Sequence, residues 1–437
     1  VRVMNAPHPS LGGVSNYLNR YWIFTNSAAG TYSYNLDFTY TNADVVGNAA
    51  LTLPSRWNGS VWTPYAGSVA GNQITFSGTL NQATLPISGT TEFTGREGQV
   101  FYYRSVQNGN WNTLATWEAD TDPNFSAPST PVAAPTSANS ARIIISAGTK
   151  VTVSGAVTAN DLDVYGTLES TVTNPFTFNG SFVFYNGSNY EHNFNGGAIP
   201  IPTRWDTTST VRITGITNAT ALTNISGQSF GNWVHASVNQ NSALPYAITG
   251  TATRFKGHFT VDTTGTGSIS LKNATTGVTI NIDSNLTINR GALNANIAAT
   301  TGLTLNVGND FVVNDGTFNL STAAIACPLT ISGNYIHNAG IVTQTSTTPS
   351  TVTFNGVNKT YTHSGGTLSN LYLNYIVASP GSLTLNSNLT TAASRTFAIN
   401  SGATLTLGTG TLASAAATGG LITNSGSLYL GNNIISG

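Results

Sequence analysis

Three segments of one pattern, GVTINI at Gly277, GLTLNV at Gly302 and PLTISG at Pro328, recur at a spacing of about 24 to 26 residues. Each leads into a second short strand and a glycine turn: NLTINRGAL, DFVVNDGTF and NYIHNAGIV. A coil of that length with three short strands has an apolar edge that it cannot bury alone. Stacking parallel coils about 4.8 Å apart buries Val, Leu, Ile and Phe in one column, so the period predicts a parallel β-helix over 148–437. The threonines centred in these strands, Thr279, Thr304 and Thr330, continue as Thr353, Thr384 and Thr406, with Thr152 as an earlier member. One outward threonine ladder is expected, joined by amide ladders where asparagines occupy equivalent positions. Residues at about 181–265 fit the period less well and are expected to form irregular coils.

Ahead of the repeats, RYWIFTN, GTYSYNLDFTYTN, AALTLPSRWNGSVWTPY, NQITFSGTL and TTEFTG read as strands separated by Gly, Asn and Ser turns, the pattern of an antiparallel sandwich. Tyr32, Tyr34, Leu36, Phe38 and Tyr40 alternate with polar residues, which predicts one buried aromatic stripe. No segment has the period of an amphipathic helix. The expected fold is all-β: an N-terminal antiparallel β-sandwich over 1–98, a junction that caps the solenoid over 99–147, and a long parallel β-helix (β-solenoid) over 148–437.

Charged residues make up 7% of the chain and the formal net charge is -1, so the polar surface must be built from hydroxyls and amides. Without a basic cluster there is no counterion-release term for nucleic acid, and no apolar run approaches the roughly 20 residues of a membrane span. Neither nucleic-acid binding nor membrane insertion is expected. The single cysteine, Cys327 in IACPLTI, excludes a disulfide framework and reads as a core residue. The histidines (His8, His192, His235, His258, His337, His363) show no metal-ligand spacing, and no cofactor is expected. The chain opens VRVMNAPHPS and closes GNNIISG, and both ends read as cuts in a longer protein.

Trp57, Trp62 and Tyr65 in RWNGSVWTPY supply amphipathic rings for a carbohydrate platform, with a sandwich core as the alternative. In GNWNTLATWEADTDPNF, Trp111 and Trp117 are expected to plug the open end of the solenoid. Glu118, Asp120 and Asp122 form an incomplete calcium candidate, lacking the glycine and distal glutamate of a calcium loop. Arg20, Arg56 and Arg204, each just ahead of a tryptophan, are expected to pack on indole faces. Hydrolysis of a polysaccharide needs two carboxylates facing across a groove. From Asn273 onward only Asp283, Asp310 and Asp315 are acidic, and they share no outward strand position. The outward pairs run Thr-x-Asn rather than Thr-x-Thr, which disfavours ice binding.

The run NYLNRYWIFTNSAAGTYSYNLDFTYTNADVVGNAALTLPSRWNGSVWTPY, then FTGREG, then FYYRSVQNGNWNTLATWE with IIISAGTKVTV, resembles modules of large Bacteroidota proteins secreted by the type IX system. IPIPTRWDTTSTVRITG, QSFGNWVHASVNQ and the LTI/LTL coils look like the β-strand-repeat regions of the same proteins. The resemblance implies a cell-surface or extracellular protein, adhesin-like or structural, exported through a C-terminal sorting domain that these residues do not include. It also makes Thr207 and Thr263, in two Asp-Thr-Thr triplets, candidates for O-glycosylation. The expectation is a non-enzymatic surface protein, self-assembling head-to-tail through its solenoid ends. A carbohydrate-binding module and a polysaccharide-active β-helix enzyme are the alternatives.

Overall fold

Alternation of large apolar and small polar residues gives the first hundred residues two-sided strands, and these pair antiparallel. In the computed structural model, which describes residues 1–431 apart from 13, 27–32, 50–51, 61, 66, 77–79, 82–88, 99–100, 132, 138, 174, 219–220, 247, 250–251, 273–276, 299 and 416–420, the long strand Gly89–Glu97 is the hub. It pairs with Tyr21–Asn26, Tyr17–Leu18 and Thr52–Trp57. A second small sheet joins Asp37–Thr39, Gln73–Phe76 and Gly67–Ala70. Between them lie Leu18, Trp22, Leu36, Phe38, Ile74, Phe76 and Phe93, with Trp22 stacked on Phe38 at 4.7 Å. Each such side chain contributes about 1.5–3 kcal/mol by leaving water. Leu36, Phe38 and Tyr40 of the expected stripe are buried and Tyr34 packs against them, whereas Tyr32 lies outside the described residues.

Two compact units are present: Val1–Asp163 with Phe176–Phe182, and Val164–Pro175 with Val183–Gly437. The boundary falls beyond the expected junction because coiling has already begun there. Phe101–Ser105 pairs parallel with Ser140–Ile145, and Gly109–Asn110 with Lys150–Val153. Trp117–Asp120 runs antiparallel along the outer edge of Phe101–Ser105. An antiparallel strand there satisfies backbone groups that a parallel stack would leave bare.

The parallel β-solenoid makes about 10 turns. In the second unit a first sheet ascends through Asn189–His192, Thr210–Ile213, Asn232–Ala236, Phe259–Thr263, Leu286–Ile288, Phe311–Val313, Tyr335–His337 and Lys359–His363. A second contains Thr253–Phe255, Val278–Ile282, Leu303–Val307, Leu329–Ile331 and Ser350–Phe354, and a third Ser268–Lys272, Ala292–Asn296 and Thr317–Ser321. The stretch expected to be irregular still stacks, with Tyr190, Val211, Trp233 and Phe259 as successive partners and one register shift between His235 and Ala236. What varies there is the length of the turns.

The threonines do not form one ladder. Thr279 pairs with Thr304, but Thr330 stacks on Asn306 because Leu329 aligns with Leu305; Thr330 then pairs with Thr353. Thr384 and Thr406 pair with each other in the first sheet, and within the first unit Thr152 aligns with Asn110. Amide ladders do form: Asn338, Asn314 and Asn289 each donate from Nδ2 to the residue one coil earlier, ending on the Asp262 carboxylate, at 2.8, 2.9 and 2.7 Å.

Candidate functional site

Trp57 and Trp62 are direct cross-strand partners, their rings 5.4 Å apart and both half-buried. Tyr65 lies an odd number of residues beyond Trp62, so it turns to the opposite face, where it packs on the sandwich core beside Phe76. The structure therefore brings together two of the three expected platform rings. The indole pair is covered in part by the chain itself. The His8 ring lies 4.7 Å from Trp62, 5.7 Å from Trp57 and 4.8 Å from Tyr21, and it hydrogen-bonds Glu92. Trp62 Nε1 donates to the Ser10 carbonyl at 2.7 Å.

Trp111 and Trp117 are 2% and 1% exposed and meet edge to face at 5.2 Å. Trp117 Nε1 donates to the Trp111 carbonyl at 2.7 Å, and Trp111 Nε1 to the Pro135 carbonyl at 2.9 Å, so both buried N–H groups are satisfied. The three carboxylates beside them have separate tasks. Glu118 pairs with Arg104. Asp120 accepts from the Asp122 and Ala127 amides at 3.0 and 2.7 Å, and those bonds hold its carboxyl below the usual range. Asp122 accepts from the Asn124 amide at 2.9 Å. Among the described residues no group of three His, Cys, Asp or Glu side chains converges as a metal site would.

Arg204 lies 5.4 Å over the Tyr185 ring, not over Trp205, and Arg20 pairs with Asp44 at 3.1 Å. The expected packing of Arg204 on its neighbour fails because successive strand residues point to opposite faces. Cys327 is buried in the solenoid. Thr207 is exposed in a turn, whereas Thr263 is half-buried at the end of its strand. Among the described residues no helix is long and apolar enough to cross a membrane.

Strand register reveals a grouping that the sequence hides. His192, Ile213, His235, Val261, Ile288, Val313, His337 and His363 follow one another as partners in the first sheet, so four imidazoles occupy one column. His192 donates from Nε2 to the Gly196 carbonyl at 2.7 Å. His235 Nε2 bonds the Gln240 amide oxygen at 2.7 Å while Nδ1 accepts from the Tyr246 hydroxyl at 2.8 Å. Gln240 Nε2 is already committed to the Ser242 and Ser268 carbonyls, which fixes the amide orientation and with it the proton on His235 Nε2. Burial depresses both His192 and His235 to about 4.

Compared with known proteins, the chain matches no family model, no curated protein and no solved structure.

Proposed function

We propose that this chain is a non-enzymatic, adhesin-like or structural protein of the cell surface or extracellular space, in which the solenoid acts as a rigid spacer. The observation that supports this reading is the solenoid of about 10 turns, clad in uncharged amide and hydroxyl ladders and filled by a continuous apolar column. Such a stack resists bending and needs no charge for solubility. Export by the type IX system of a Bacteroidota cell belongs to the same reading and rests on the sequence resemblance. Head-to-tail assembly through strand edges is its second element. Ser427–Tyr429 and Leu421–Asn424 are the last described strands of their sheets, with Leu421 and Tyr429 more than half exposed. The GNNIISG stretch lies, beyond Gly431, outside the described residues.

A second reading, glycan binding by the sandwich, is favoured by the half-exposed Trp57–Trp62 pair. Labelling intact cells of the source organism with a membrane-impermeant amine reagent tests the location. Labelling before lysis is expected, and labelling only after lysis overturns the proposal.

A further inference from the structure

Five charged side chains converge on one outer edge of the solenoid's second unit. Arg204 pairs with Asp206 at 2.6 Å and Arg254 with Asp283 at 2.7 Å. Lys256 feels the field of all four and donates from Nζ to the Trp205 carbonyl. Arg204 and Arg254 keep more than half of their side chains in solvent. Tyr185, beneath Arg204, stacks on the exposed Tyr165 at 4.2 Å, with the rings nearly parallel.

From Arg254 a file of polar side chains runs along the coils: Arg254, Asn281, Asn306, Thr330 and Thr353 are successive partners in the second sheet. Beside it run Asp283, Gly308, Ser332 and Asn355, and together most of these residues line a shallow groove of about 490 Å³. Asn306 Nδ2 donates to Asn281 Oδ1 at 2.9 Å, and Ser332 Oγ to Asn355 Oδ1 at 2.8 Å, which holds the lining in place. A Cβ on Gly308 would fall 2.4 Å from the Asp283 carbonyl oxygen, so glycine lets the two coils approach closely at the groove.

We infer that this groove binds a linear anionic polysaccharide, lying along the solenoid axis with its acid groups at Arg254, Lys256 and Arg204. Each coil presents one amide or hydroxyl, and coils repeat about every 4.8 Å, close to the length of one pyranose unit in an extended glycan. Hydroxyls and amides both donate and accept, as sugar hydroxyls do. Three cations against two carboxylates leave one positive charge in excess, and guanidinium groups fit carboxylate or sulfate. Stacked tyrosines at the same edge offer ring surface to a sugar. Nucleic acid is the other linear polyanion, but cations interleaved with carboxylates are not the unbroken basic track it requires.

The inference rests on the extracellular reading of the protein and assigns a ligand class to it. The test is titration of the full chain with polygalacturonate, neutral dextran and single-stranded DNA at low and at physiological salt. Polygalacturonate is expected to bind best. Arg254→Gln with Arg204→Gln should weaken it about tenfold or more, since charge-assisted bonds to both guanidiniums are lost, with the melting temperature unchanged. Thr330→Val, which removes a hydroxyl without removing charge, should weaken it a few-fold. Loss of binding in Trp57→Ala would place the ligand on the sandwich indoles and overturn the groove. Absence of polygalacturonate binding, equal binding of DNA, or indifference to the arginine substitutions overturns the inference. Binding that persists in a protein found only inside cells removes the location and leaves the groove.

Discussion

His337 and His363 face each other across two successive coils with their Nδ1 atoms 2.9 Å apart, so one ring must donate and the other accept. A proton added to the accepting nitrogen breaks that bond and turns a cation toward the N–H of the neighbouring ring. Burial and the neighbouring His363 already hold His337 below its usual value. His192 and His235 stand in the same column, and burial lowers both as well.

Stability should therefore fall on mild acidification. His192 and His235 drop from 6.5 to about 4 in the folded chain, so their contribution is complete above pH 6.5 and is lost as pH falls from there toward 4. Each shift corresponds to about 3 kcal/mol. Melting curves between pH 7.5 and 4.5 should show a steep fall. His235→Gln should lower the melting temperature at pH 7.5 but flatten the fall; an equally steep fall in that variant would remove His235 from the explanation.

Truncating a buried indole at the start of the solenoid should be severe. Trp117→Ala removes a side chain that is 1% exposed and should cost about 3–5 kcal/mol in denaturant unfolding. Trp57→Ala, at a half-buried ring, should cost clearly less. Comparable losses at both sites would contradict the difference in burial.

The amide ladder is directional. Asn314 donates to Asn289 and accepts from Asn338, so Asn314→Asp keeps the acceptor but turns a carboxylate toward the Asn289 oxygen. The expected loss is about 1 kcal/mol, smaller at low pH, where the protonated acid regains a donor. A loss independent of pH would count against the ladder.

Calcium should have no effect on the segment Glu118 to Asp122, because Glu118 is paired with Arg104 and both aspartates hold backbone amides. Melting in millimolar calcium and in chelator should coincide. A calcium-dependent rise of several degrees would show that those bonds yield to a cation.

The repeat at Gly277, Gly302 and Pro328 made the solenoid legible because apolar-Thr-apolar triplets must alternate inward and outward in a strand. The burial of Trp111 and Trp117 could be read from their position between sandwich and coils. Groupings that depend on turn length could not. His192, His235, His337 and His363 share no sequence period, and only the pairing of strands across unequal turns aligns them. Thr330 left the expected ladder because the turn before Leu329 shifts its register against Leu305. Sequence proximity groups Tyr65 with Trp62 and Arg204 with Trp205, whereas strand parity sends each to the opposite face from that tryptophan.

Static light scattering over a wide concentration range tests the spacer and assembly account most directly. The account predicts a mass that grows in whole multiples of one chain, and its suppression in Leu421→Asp, which places a charge on the exposed edge strand. A constant one-chain mass up to the highest concentration reached would contradict it.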